Sequence, residues 1–206
     1  MQMPAKDRII DLPRLTLFAD SPEAGKKARL QFGFRDVNPR VTVFTGVSGA
    51  AKDGVISGPF DPVSFQVFLD LFERTIHAEP GTKHKIALKT TQYENNQPTT
   101  DVRHISDLRF GKTDEGIVWI ALTTDTHPKI MFEFRPSRFV EFYHADGTTF
   151  SDSEMSMLHA SAFVKLLRDI FGTHILLSSY TNENRTKPSD TKAKADSTFT
   201  EEDIAF

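Results

Sequence analysis

Lysine and arginine recur at alternate positions in three apolar stretches of this chain. In 28–35, Leu30, Phe32 and Phe34 share one parity, and Arg29, Gln31, Gly33 and Arg35 share the other. In 83–91, Ile86 and Leu88 oppose Lys83, Lys85 and Lys89. In 129–135, Ile130, Phe132 and Phe134 oppose Lys129, Met131, Glu133 and Arg135. Successive side chains of a strand point to opposite faces. Each stretch therefore predicts a strand with one apolar and one basic face. Cations spaced along strands, with Arg103, Arg109 and Lys112 nearby, can follow a line of phosphates. The plainer reading of each strand is a solvated sheet face, where lysine and arginine are common.

Phosphate tracking on single strands is usually joined by base stacking on aromatic rings. Trp119, Tyr93, Phe44, Phe110 and Tyr143 are the candidates. Trp119 lies in the very apolar run 117–122, which favours a core position. Tyr93 closes a strand beside Asn95 and Asn96 and is the better platform. Most of the 18 phenylalanines sit on apolar faces and belong to a core.

Glu201, Glu202 and Asp203 lead to an apolar terminus, Ile204, Ala205 and Phe206. A small apolar pocket rimmed by arginine or lysine would hold the final ring together with its α-carboxylate. A flexible tether would bring this tip within reach of partners and of the basic faces. The plainer reading is a solubilising acidic end.

Catalytic patterns are missing. Seven histidines are scattered without metal-ligand spacing beside a carboxylate, and no phosphate-binding glycine loop or Gly-x-Ser-x-Gly elbow occurs. With no cysteine there is no thiolate nucleophile, thiolate zinc site or disulfide. No cofactor or metal is expected, and the chain reads as a non-enzyme. Met1–Asp7 lacks the apolar run of a leader and no stretch reaches membrane-span length, so a cytoplasmic protein without a membrane partner is expected. The net charge of −3 conceals a division. Four of the 28 acidic residues lie in 196–206, leaving 25 basic against 24 acidic residues in the body. Any basic surface must then arise by segregation in space.

Strands are expected over 14–19, 28–35, 40–45, 55–57, 83–91, 104–110, 117–124, 129–135 and 139–143, each bounded by turn-forming residues. Asp61 and Pro62 open a helix with Val63, Val67, Phe68, Leu71, Phe72 and Ile76 at helical spacing, ended by Pro80 and Gly81. Ser151 and Glu154 form a capping box before a second helix. Its stripe is Met155, Leu158, Ala162, Phe163, Leu166, Leu167, Ile170 and Phe171, with Gly172 as the expected C-cap. Phe60 and Phe150 precede the two caps as hydrophobic staples. Segments 68–76 and 163–170 resemble each other, a sign of internal duplication. The plan is α+β: two strands-then-helix repeats forming antiparallel sheets in one domain over 1–180, with 181–206 a disordered tether and tip. Residues 47–54, rich in Gly, Ala and Ser, read as a loop.

The tip resembles the terminal acidic peptide of bacterial single-stranded-DNA-binding proteins, an acidic run closing on Ile-Pro-Phe, with Ala205 in the proline position. Phage single-stranded-DNA-binding proteins also end in acidic tails with a terminal phenylalanine. The match covers about six residues. The duplicated plan is similar to the Whirly and positive-cofactor-like folds, which bind single strands across antiparallel sheets as tetramers, and to phage-encoded transcription and replication regulators of that kind. An OB-fold is the competing architecture and accommodates the second long helix less well. The resemblance implies single-stranded-DNA binding with little base specificity in a bacterial host's cytoplasm. It also implies replication, repair or transcription proteins as partners of the tip, and a homo-oligomer; a third reading is an oligomeric structural protein whose Phe-rich faces bury subunit interfaces. The alternative is a protein–protein adaptor or transcription cofactor contacting RNA polymerase.

Overall fold

The computed structural model describes residues 9–35, 37–47, 54–94, 97–136 and 139–185, the side chains of 9–14, 93, 94, 98 and 178–185 excepted. The loop expected over 47–54 falls mostly outside these residues, as do the tip at 201–206 and most of the tether. Four strands, β1 (Ile9–Asp20), β2 (Lys27–Arg35), β3 (Asn38–Phe44) and β4 (Val55–Pro59), form an antiparallel sheet in chain order. Helix α1 (Pro62–Ile76) follows. Strands β5 (Lys83–Glu94), β6 (Gln97–Lys112), β7 (Val118–Thr123) and β8 (Phe132–Glu133) repeat the meander, and α2 (Asp152–Arg185) closes the second half. The fold is thus α+β with two strands-then-helix repeats. The sheets remain separate and close no barrel, which removes the OB-fold alternative.

The helix starts follow the sequence chemistry. The Asp61 carboxylate accepts hydrogen bonds from the backbone N–H groups of Val63 and Ser64 at 3.0 and 2.9 Å. Phe60 packs on Phe65 with ring centroids 5.5 Å apart, the staple geometry. At α2 the Ser151 backbone N–H donates to Glu154 Oε2 at 2.8 Å, and the Glu154 N–H donates to Ser151 Oγ at 3.3 Å. Phe150 stacks on His144 instead, at 3.8 Å.

Among the described residues, eleven phenylalanines are buried in one core that joins both sheets and both helices. Phe68 touches Phe32, Phe60, Phe65, Phe72 and Phe110, so both repeats share its neighbourhood. The Phe-rich faces of β2, α1 and α2 are thus spent inside the chain. Gly58 lets β4 lie against the second sheet, since a Cβ there would run into Leu88 and approach Ser106.

Several expectations need correction. The stretch 129–135 alternates as expected, but only Phe132 and Glu133 form a strand, between Pro128 and Pro136, which lack a ladder donor. Residues 139–143 form no strand. A single bridge joins Tyr143 to Thr149 around a turn in which Gly147 has φ +86°. Gly172 does not end α2, which runs to Arg185 and so takes in the first residues assigned to the tether. Beyond Gly172 the helix is still anchored: His174 lies 4.3 Å from the Phe34 ring, and Ile175 packs on the core. Leu158 and Leu166, placed by sequence in the core stripe, are exposed, whereas Ala160 and Val164 are buried.

Candidate nucleic-acid interface

Strand parity assigns one side of each sheet to the shared core; on the opposite side Gln31, Thr42, Ala121 and Thr123 are also buried, while Phe18, Arg29, Lys83 and Lys85 are exposed. On the first sheet the outward rows run across strands. Phe18, Arg29, Phe44 and Val55 are register partners in the first row. Arg29 lies over the Phe44 ring, 4.1 Å from its centroid, and Phe18 is 64% exposed. The second row, Thr16, Gln31, Thr42 and Ser57, is polar: Gln31 Nε2 donates to Thr16 Oγ1 at 3.0 Å, and the Thr42 and Ser57 hydroxyls lie 3.3 Å apart. Arg40 in the next row donates from Nη2 to Ser57 at 3.0 Å, which holds its guanidinium flat along the sheet. Arg35 pairs with Asn38 at the end of this face.

On the second sheet Lys83, Gly111, Trp119 and Glu133 make one outward row. Lys85, Arg109 and Ala121 make the next, and Ala87, Asp107 and Thr123 the third. Trp119 is half-buried on this outward face and not in the core, because it alternates with Val118 and Ile120, which point into the core. Lys89 is register partner to His104 farther along, past a bulge. Asp107 gathers two cations and an imidazole: Arg109 Nη2 at 3.2 Å, Lys85 Nζ at 3.6 Å and His104 Nε2 at 2.9 Å. Burial pushes the Asp107 carboxyl up, but the hydrogen bonds from His104 and Arg109 and the Lys85 charge outweigh it, and the net shift is below the usual carboxylate range. Arg29, Lys83, Lys89 and Lys129 have no ion-pair partner among the described residues.

The two outward faces meet at a cleft of about 980 Å³. Arg35, Arg40 and Ser57 line it from the first sheet and Lys89, Thr90 and Thr91 from the second. A second cleft of about 560 Å³ separates β1 from β8, with Phe18, Lys27, Lys129, Met131 and Arg135 on its walls. Lys27 is paired with Asp20 there, and Arg135 with Glu133 at 2.6 Å and Asp152 at 3.6 Å.

The sequence-derived candidates thus separate into groups. Lys83, Lys85, Arg109 and Trp119 come together on the second sheet, Arg29 lies on the first, and Arg35 and Lys89 meet in the cleft between them. Lys129 and Arg135 lie in the other cleft. Tyr93 is in the β5–β6 hairpin opposite Pro98, with its side chain outside the described residues. Lys112 does not belong to the basic surface. It shares the parity of Phe110, is 5% exposed, and donates to the Ala78 carbonyl just past the end of α1 at 2.9 Å. Phe110 is fully buried. Phe18 and Arg40 went unmarked in the sequence. An aromatic on the polar parity of β1, with Thr16 and Asp20, was the signal for Phe18.

Compared with known proteins, the chain matches no protein-family model and no curated protein sequence. Among the described residues no three His, Asp or Glu side chains are gathered as a metal site would need. No helix among them is long and apolar enough to cross a membrane.

Proposed function

We propose that the chain is a non-enzymatic single-stranded-DNA-binding protein with little base specificity, serving replication, repair or transcription and recruiting partners through the tip Glu201–Phe206. The observation that carries this reading is the pairing of rings with cations on both outward sheet faces. Phe44 lies under Arg29 with Phe18 beside it, and Trp119 shares a row with Lys83 next to Lys85 and Arg109. Rings offer stacking to unpaired bases of any sequence, while the cations and the cleft between the sheets follow the phosphates. A duplex hides its base faces, so stacking platforms favour single strands. The reading agrees with the Whirly-like plan that the sequence suggests, in which single strands cross antiparallel sheets.

Fluorescence anisotropy with single- and double-stranded oligonucleotides of equal length, across a salt series, tests it. The expected result is preference for the single strand, with affinity falling steeply as salt rises. Absence of binding to either, at low salt and with 196–206 removed, would sink the proposal. One observation favours the adaptor reading: Phe139, Val140, Phe142 and Tyr143 are all exposed within one short segment. Partners that stay bound through nuclease and high salt would support that alternative.

A further inference from the structure

Helix α2 has two different faces. Ala160, Val164, Leu167 and Phe171 are buried against the core. A helix turns about 100° per residue. On that geometry Leu158, Ala162, Lys165, Asp169, Gly172 and Leu176 line the opposite side, and all six are exposed. The exposure is large for leucine, 51% at Leu158 and 72% at Leu176. This outward face is also palindromic about Leu167. Leu158 and Leu176 stand nine positions to either side, Ala162 and Gly172 five, and Lys165 and Asp169 two.

We propose that this face is a two-fold interface between two copies of the chain, with α2 antiparallel to α2 of the second copy and Leu167 at the level of the axis. A two-fold contact is self-complementary: if one residue meets another, the second meets the first across the axis. Here Leu158 meets Leu176 of the second copy, Ala162 meets Gly172, and Lys165 faces Asp169, each contact occurring twice. Large side chains oppose large, small oppose small, and cation opposes carboxylate.

Two features lack an explanation within a single chain and gain one from the pairing. Lys165 and Asp169 have no ion-pair partner among the described residues, whereas neighbouring Arg168 is held by Asp70 and Glu73 of α1 at 2.5 and 2.9 Å. Their order along the helix, base before acid by four, is also the weaker one for a pair within a helix. Gly172 is unfavourable in a helix interior, and a Cβ there would meet nothing in its own chain. Small residues at a crossing let two helices approach closely. The proposal does not depend on nucleic-acid binding.

Sedimentation equilibrium of the full chain over a concentration series, without nucleic acid, tests it. The wild type should reach twice the 23.2 kDa chain mass, or a tetramer that halves in the variants below. Lys165→Asp and Asp169→Lys alone each create two like-charge contacts and should weaken dimerisation at least about tenfold. The double variant Lys165→Asp/Asp169→Lys restores opposite charges and should recover the wild-type constant. Circular dichroism confirms that each variant keeps its helix, and Ala162→Arg is an independent disruption expected to give monomers. A wild type monomeric throughout, or single variants that associate like the wild type, would overturn the proposal. So would a double variant no tighter than the singles.

Discussion

Asp107 is the one carboxylate central to the outward face of the second sheet, and it neutralises the groups that a phosphate chain would need. Replacing it by asparagine frees Lys85, His104 and Arg109 from their shared partner. Single-strand affinity should rise about three- to tenfold at low salt and the gain should shrink as salt is added, a comparison anisotropy makes directly. The same carboxyl has a pH consequence. Its pKa is depressed in the fold below the ordinary 3.8, so the stability it contributes is present above that value and is lost as pH falls through the folded value. Urea midpoints should therefore drop less between neutral pH and pH below 3.8 in Asp107→Asn than in the wild type. Among the rings, Phe44→Ala should weaken single-strand binding by about 1–3 kcal/mol if bases stack there. An unchanged affinity would remove the first sheet from the binding path. The cations Lys83, Lys85 and Arg109 were legible in the sequence because their parity alone sets their face. The Arg29–Phe44 contact was not, since strand pairing brings together residues fifteen positions apart.

The caps and the second helix define the element scale. Asp61→Ala removes the acceptor for two N–H groups of α1 and should cost about 1 kcal/mol in urea unfolding. Asp61, Pro62, Ser151 and Glu154 were readable in advance because capping is local chemistry. The end of α2 was not. A glycine at 172 is a normal stop signal, but the contacts of His174 and Ile175 with the core carry the helix through it. Gly172→Ala therefore separates two effects. In the monomer it should stabilise the helix by about 1 kcal/mol, since the added methyl meets open space. In a concentration series it should weaken self-association. A variant that gains stability and associates as tightly as before would place the subunit contact elsewhere.

At the scale of the whole molecule, charge is divided between a nearly neutral body and an acidic end. Removing 196–206 takes away four carboxylates and no cation, so single-strand affinity should rise while the unfolding midpoint stays unchanged. An unchanged or weaker affinity would argue against competition between the tip and the basic faces. The body's unfolding should instead respond to its shared core. Phe68→Ala, at a ring touching both repeats, should cost about 3–5 kcal/mol in a single transition. Two separate transitions would show that the repeats unfold independently.

Periodicity, capping and turn chemistry act between neighbours along the chain, and for that reason the sequence by itself determined the two strands-then-helix repeats, the faces of the main strands and the helix starts. What it did not determine depends on partners distant in the chain. The packing of β7 turned Val118 and Ile120 into the core and left Trp119 on the opposite face despite its apolar strand. The reach of Lys112 to the end of α1 withdrew a cation from the surface. On α2, an apolar stripe divided between a buried and an exposed face once the core had claimed Ala160, Val164, Leu167 and Phe171. Burial is assigned by competition among all elements for one interior, and only the tertiary structure decides that competition.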